Sequence, residues 1–437
     1  MAERIGRLTR EERSWVLYDV ANSAFTLIVI TTIMPIFFAG VAAAELAPNR
    51  ATALWGYTNS GASILLAVAA PVIGAIADYA GNKRRLFLGF LAVGVVMTVL
   101  FATIGEGMVA YAMVISIFGF VSYSGANLVY DSFITDVTTN ERMDAVSTRG
   151  FAWGYIGSVV PFLVVLFLSL QPELVGGSLV ATRISFILTA LWWLGFAVPM
   201  MRNVHQQYSL PRDPAPVRTA FVRIGRTFKH IRQHREAFVF LIAYFFYIDG
   251  VDTIIRMATS YATEIGFGQA ELIQVILGIQ VVAFPFALLY GMLAKRFGTK
   301  PMLFVGIGVY FVIVILAFFL PVIADGTTQR LVFWGMAFLV ATSQGGIQAL
   351  SRSYFGALIP RERAGEFFGF YNIFGKFAAI LGPLLMGLMA DITGESRWGV
   401  LSLALLFATG AILLARVRKA DAAPQASATP RATDDSS

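Results

Sequence analysis

The sequence predicts an all-α polytopic membrane protein, with twelve transmembrane helices in two pseudo-symmetric six-helix bundles, and three observations predict it. Of the 437 residues, 57% are hydrophobic and only 14% charged, and the mean hydropathy is +0.72. A soluble domain carries about 25% charged residues, so a soluble enzyme is excluded. The apolar residues are gathered into runs of about 20, the length a helix needs to cross about 30 Å of hydrocarbon. Runs such as LLAVAAPVIGAIA lack the alternation of a membrane barrel. The basic residues fall into alternate loops, as expected of helices that cross back and forth.

The elements follow in order. Residues 1–15 are charged and lack the apolar centre of a secretory signal, so they read as a cytoplasmic leader. The N-terminal bundle, 16–201, holds the spans Val16–Gly40, Trp55–Ala77, Leu86–Ile104, Met108–Tyr130, Gly150–Leu170 and Ile184–Met201. Residues 202–236 form a basic linker with Pro211, Pro214 and Pro216. Within it Phe221, Ile224, Phe228 and Ile231 recur at helical spacing among Arg223, Arg226, Lys229 and Arg232. That pattern predicts an amphipathic helix on the membrane surface. The C-terminal bundle, 237–415, holds Ala237–Tyr261, Leu272–Ala294, Met302–Ile323, Leu331–Leu350, Glu366–Ala390 and Trp398–Leu414. Residues 416–437 are low in complexity and read as a disordered cytoplasmic tail.

Charge sets the orientation. Of 33 Lys and Arg, 27 lie on the side of the termini and 4 on the other: Arg50, Arg183, Arg330 and Arg397. Arg256 and Lys376 lie within spans. The split places both termini in the cytoplasm and makes the isoelectric point of 9.6 a topology signal, with lipid and not nucleic acid as the partner. There is no Cys, which removes disulfides, thiolate nucleophiles and cysteine clusters. His205, His230 and His234 all lie in the linker, so no histidine is available inside the bilayer. His230 and His234 are four apart, but a solvated basic face accounts for them, and no metal or cofactor is expected. Gly369-x5-Gly375-Lys376-Phe377 has the wrong spacing for a phosphate-binding loop and lacks its Ser or Thr, which argues against a nucleotide-driven pump. No span carries paired catalytic carboxylates or a Ser/His arrangement, so the chain does not read as an enzyme.

The halves resemble each other. After span 2 comes Gly74-x3-Asp78-x2-Gly81-x-Lys83-Arg84-Arg85, and after span 8 Gly291-x3-Lys295-x2-Gly298-x-Lys300. Pro71, Pro161, Pro285 and Pro383 recur inside spans 2, 5, 8 and 11. Proline removes a backbone donor and bends a helix, and a bend on every third helix suggests the nested three-helix repeats of secondary transporters. The loop signature, the six-plus-six layout and the basic linker resemble the major facilitator superfamily.

A narrower resemblance rests on three stretches. They are Trp15-x2-Tyr18-Asp19-x2-Asn22-Ser23-Ala24-Phe25, Ala243-Tyr244-Phe245-x-Tyr247-x-Asp249-Gly250-Val251-x-Thr253, and Gly346-x-Gln348-Ala349-x-Ser351-Arg352-Ser353 followed by Glu366-Phe367-Phe368-Gly369-Phe370-Tyr371. Together these look like the vacuole-effluxer (autophagy-related) transporter family over nearly the whole chain. Fungal members are linked to amino-acid export from the vacuole. The compact loops together with the resemblance imply a bacterial plasma membrane, and a monomer is expected. It also implies that Gly74, Asp78, Gly81, Lys83, Arg84 and Arg85 act as a conformational latch, with Asp78 capping a neighbouring helix N-terminus. Lys295 stands where the second copy needs an acid, which puts the equivalent latch in question.

Charges inside spans cost roughly 2.5–3.5 kcal/mol on insertion scales and invite a functional account. Asp249, about 18 Å into span 7, Asp252 on the same face, and Lys376, about 15 Å into span 11, are candidates for the central cavity. Asn372 lies one turn before Lys376. In this reading Lys376 meets a carboxylate, and Asp249 or Asp252 takes an amine or a coupling proton. The alternative is a buried Asp–Lys pair that only ties two helices together. Asn22, Gln344 and Gln348 are further cavity candidates, the last two set against interhelical hydrogen bonding. Tyr18, Asp19, Asp131, Arg142, Arg149 and Arg352 are candidates for a cytoplasmic gate, whereas Arg256 can snorkel from its span end. Gly150, Gly154 and Gly157 are expected to allow close helix packing. The function expected is secondary transport of a small polar solute by alternating access, with protons as a candidate coupling ion. A non-transporting sensor, or a facilitator for sugars or drug-like solutes, stands as the alternative.

Overall fold

The computed structural model describes residues 7–418, apart from 47, 212–218, 220–221, 223–233, 265 and 268. Within them the chain forms twelve long helices. The first six are α1 (Arg10–Ala42), α2 (Pro48–Ala77), α3 (Asn82–Leu100), α4 (Val109–Ser132), α5 (Asn140–Leu170) and α6 (Ser178–Asn203). The second six are α7 (Arg235–Glu264), α8 (Gln269–Phe297), α9 (Thr299–Phe319), α10 (Gly326–Leu358), α11 (Ala364–Thr393) and α12 (Ser396–Arg416). A bilayer offers backbone groups no partner, so a helix that closes its own hydrogen bonds is the spanning solution for such runs. Ten of the twelve contain an apolar stretch long enough to cross a membrane, among the described residues. The other two, α10 with 33 residues and α11 with 30, have the length; polar side chains dilute the apolar run of α10, and the side chains of 376–380 in α11 lie outside the described residues. The amphipathic linker helix expected around Phe221–Arg232, His230, and the tail beyond 418 lie outside the described residues, as do the side chains of Arg256 and Lys376.

Several helices overrun their expected spans on the face that carries the Lys- and Arg-rich loops, here called the basic face. α1 starts at Arg10 and takes in part of the expected leader. Thr9 and Glu12 form a capping box, in which Thr9 Oγ1 accepts the Glu12 N–H at 3.1 Å and Glu12 Oε2 accepts the Thr9 N–H at 2.9 Å. α5 likewise begins well before Gly150, at Asn140. Inside the bilayer α1 widens into π-helical turns at Phe25–Ile33 and Phe38–Ala42, a feature often found at functional sites.

The packing repeats with an offset of six helices. In the first half α1 packs on α5 and α6, α4 on α2 and α3, and α3 on α6; in the second, α7 packs on α11 and α12, α10 on α8 and α9, and α9 on α12. The halves meet chiefly along α2–α11 and α5–α8, the same pair seen from either side of a pseudo-two-fold. These four helices are the ones that carry Pro71, Pro161, Pro285 and Pro383. The helices that carry the repeated prolines are therefore those that meet between the two halves.

Candidate functional site

At the basic end of the seam, Asp78 leaves α2 fully buried. Its Oδ1 accepts the Gly365 N–H at 2.7 Å and its Oδ2 accepts the Glu366 N–H at 3.1 Å. Those N–H groups belong to the first turn of α11, where a helix lacks internal acceptors and favours negative charge. A Cβ on Gly74 would lie 2.1 Å from the Gly365 carbonyl oxygen, so the two helices touch backbone to backbone. Gly81 turns the chain into α3 with a φ of 81°.

The rest of the loop signature, Lys83, Arg84 and Arg85, does not cross the seam in this structure. Lys83 is wholly buried, and its Nζ lies 2.6 Å from Asp136 and donates to the Ser132 carbonyl at 3.1 Å, inside the first half. Arg84 donates to the Met201 carbonyl at the end of α6 at 3.1 Å, and Arg85 is exposed. Burial without a charge partner would be costly for Lys83, and Asp136 meets that need within the half.

Arg352 on α10 enters the first half between α1, α4 and α5. Its Nη2 lies 3.0 Å from Asp19 Oδ2 and its Nη1 3.3 Å from Asp131 Oδ1. Nε donates to Ser147 Oγ at 3.0 Å, and Nη2 also reaches the Ser147 carbonyl at 3.2 Å. The guanidinium lies 4.5 Å from the ring centres of both Trp15 and Phe151. The group is only 4% exposed, where charge pairing and ring faces act with little screening. A Cβ on Gly150 would come within 2.1 Å of Asp19 Oδ2, so glycine there makes room for the pair. Gly154 and Gly157 allow the same close approach of α5 to α1, against Ser23 and Val20.

Other expected gate residues lie elsewhere. Arg142 pairs with Glu12 at 2.6 Å inside the first half. Tyr18 is buried against Phe87 and Tyr130 and accepts the Trp193 indole N–H at 3.3 Å. Arg149 is half-buried on α5 beside Gly150. Two cross-seam residues carry no motif and escaped the sequence reading. Asp144 on α5 accepts from the Thr299 and Ser353 hydroxyls of the second half. Lys295, at the position of the missing acid, is exposed, so the second seam is tied from α5. Arg361 donates to the Thr135 and Thr138 carbonyls at 3.3 and 3.4 Å, to Tyr208 Oη at 3.2 Å and to Asn140 Oδ1 at 2.8 Å.

Above these ties, polar groups line the seam at mid-depth. Thr26, Tyr123, Asn127, Tyr155, Asp252, Gln344, Gln348 and Asn372 are half-buried although they lie within spans; polar side chains at such depth are costly against lipid. Asn22 is 8% exposed and donates to Asp19 Oδ1 at 3.4 Å. Asn372 donates to the Phe368 carbonyl at 3.0 Å within α11, and Asp252 stands three residues beyond Asp249 on α7.

Asp249 is placed differently from the cavity position expected of it. It is fully buried, and its two oxygens accept the Gly382 N–H at 3.0 and 3.1 Å. Gly382 precedes Pro383, which interrupts the hydrogen-bond ladder of α11, and a Cβ on Gly382 would lie 1.9 Å from Thr253 Oγ1. Asp249 therefore acts as an internal cap on the break in α11. Among the described residues no group of three or more His, Asp or Glu is placed to hold a metal.

The likeness to known proteins agrees with this architecture. The family described as Vacuole effluxer Atg22 like matches residues 46–141 and 135–427. The chain is 46% identical over 415 residues to the uncharacterised MFS-type transporter YxiO of Bacillus subtilis, covering 94% of this chain and 95% of that one. It is 25% identical over 349 residues to autophagy-related protein 22 of Kluyveromyces lactis, covering 72% and 69%. Among solved structures, the proton:xylose symporter XylE superposes with a TM-score of 0.70 at 14% identity, covering 94% and 95%. FucP in its outward conformation gives 0.66 at 14% identity, covering 94% and 98%, and both show the fold alone. An all-helical membrane bundle of this symmetry, matched along nearly its full length, is a transporter and not an enzyme, and the chain belongs to the Vacuole effluxer Atg22-like family of MFS-type transporters.

Proposed function

We propose that the protein moves a small polar solute, an amino acid or related zwitterion, across a bacterial plasma membrane by alternating access, with both termini in the cytoplasm. The observation that carries this reading is Arg352, a buried cation of the second half held between Asp19 and Asp131 of the first. A tie of this kind serves transport when it forms in one state and breaks in the other. With Asp78 on the α11 N-terminus and Arg361 on loop 4–5, it closes the cytoplasmic face, so the geometry corresponds to the state loaded from outside or about to release there. The half-buried polar groups between the sealed face and mid-depth supply the solute site. Asp252, a half-buried carboxylate within α7, is the group we assign to a coupling proton.

Flux of a panel of amino acids, sugars and drug-like solutes into proteoliposomes under an imposed pH gradient tests the reading. Amino-acid movement that collapses with the gradient is expected. Movement of sugars or drugs alone overturns the solute class, and binding without flux overturns transport.

A further inference from the structure

A short hydrogen-bond chain between α1 and α4 lies beside a buried acceptor. Thr26 Oγ1 donates to the Asn22 carbonyl at 3.4 Å, and its oxygen lies 2.5 Å from Tyr123 Oη. With the Thr26 proton so used, the Tyr123 hydroxyl donates to Thr26. Asn127 follows Tyr123 one turn later on the same face of α4. Asn127 Oδ1 is buried and meets no partner among the described residues. A buried acceptor of this kind calls for a donor supplied from outside the protein.

Two further observations state what sort of donor fits. Asn127 lies one helical turn from Asp131, whose carboxylate shares the single Arg352 guanidinium with Asp19. Two carboxylates on one guanidinium leave one negative charge in excess among the described side chains of that cluster. Beside it the Phe25 and Tyr123 rings stack with centres 4.8 Å apart, and aromatic faces favour cations. We propose that Asn127, one turn from both Tyr123 and Asp131 on α4, is the subsite for the primary ammonium group of the transported solute. The inference rests on the amino-acid reading above and assigns one end of the solute to α4. It also accounts for residues that carry no charge and match no motif.

The test uses the full chain in detergent and in proteoliposomes with three probes of one carbon skeleton. L-Leucine carries both charged groups, isopentylamine only the amine, and 4-methyl-2-oxopentanoate only the carboxylate. Leucine and isopentylamine are expected to stabilise the wild-type protein thermally, and the oxo acid is not. Asn127→Leu is expected to weaken both amines at least about tenfold, as loss of a hydrogen bond to a charged group does. Asn127→Asp, which keeps the acceptor and adds charge, is expected to widen the preference for amine over oxo acid, and it carries the test if the leucine variant does not fold. Equal binding of oxo acid and leucine, unchanged amine affinity in Asn127→Leu, or a narrower preference in Asn127→Asp overturns the subsite. If leucine is carried and only the variants behave like wild type, the subsite fails while the amino-acid reading stands. If no amine in a wider amino-acid panel binds or moves, both fail.

Discussion

Arg352 shows how much a single side chain can weigh in a low-dielectric seam. Its partners Asp19 and Asp131 are themselves poorly exposed, so removing the cation strands two carboxylates. Breaking a buried pair costs about 3 kcal/mol or more, equivalent to over a hundredfold in the ratio of sealed to open cytoplasmic face. The chain has no native cysteine, so a lone cysteine at Gln348 reports that ratio directly. In Arg352→Gln, its labelling by an impermeant maleimide from the cytoplasmic side should rise by about two orders of magnitude, and unchanged labelling would remove Arg352 from the gate. Asp249 predicts the opposite kind of outcome. As a cap on the α11 break, Asp249→Ala should lower thermal stability by about 1–3 kcal/mol, the cost of an unsatisfied buried donor. Asp249→Asn retains an acceptor and should keep both most of the stability and the pH dependence of flux. Loss of pH dependence in that variant would return Asp249 to the coupling role.

At the scale of elements, α2 and α11 meet backbone to backbone at Gly74 and Gly365. Because a Cβ at position 74 would overlap the Gly365 carbonyl, Gly74→Val should hold the cytoplasmic face open and reduce flux at least tenfold while leaving membrane insertion intact. The same cysteine reporter checks this. A neighbouring contact gives a pH signature. Burial pushes the His234 imidazole below its usual pKa, and Arg363 adds to the effect while Glu366 opposes it. The ring packs edge-on against Phe367 in the first turns of α11. A histidine whose folded pKa is depressed contributes full stability above its unfolded pKa of about 6.5 and loses it as the pH falls through the folded value. His234→Phe should therefore flatten the decline of thermal stability below pH 6.5; an unchanged slope would show that the imidazole has no part in it.

For the molecule as a whole, the architecture was largely legible because lipid leaves the chain few choices. Backbone satisfaction forces long helices, basic loops mark one face, and the four prolines mark the seam. The site was legible only where charge stood out. Asp19, Asp131 and Arg352 are conspicuous in apolar surroundings, and Asp78 came with its loop. Thr26, Tyr123 and Asn127 are ordinary residues in a span, and only their mutual placement distinguishes them. Gly382 gains meaning from Asp249, far away in sequence. Asp144 was missed because α5 runs past the bilayer, so a carboxylate that reads as part of a loop stands in a helix. The Asp249–Gly382 contact was not legible because depth along a helix says nothing about which neighbour a side chain meets.

The strand of chain that joins the halves is also part of the seal. Gln206 bonds the turn at Gly81, Leu210 bridges to Tyr79, and Tyr208 sits beneath the Arg361 guanidinium. Opening the basic face must therefore peel Arg361 off the connecting strand as well as off loop 4–5. Lengthening the connector before Tyr208 would disturb access itself.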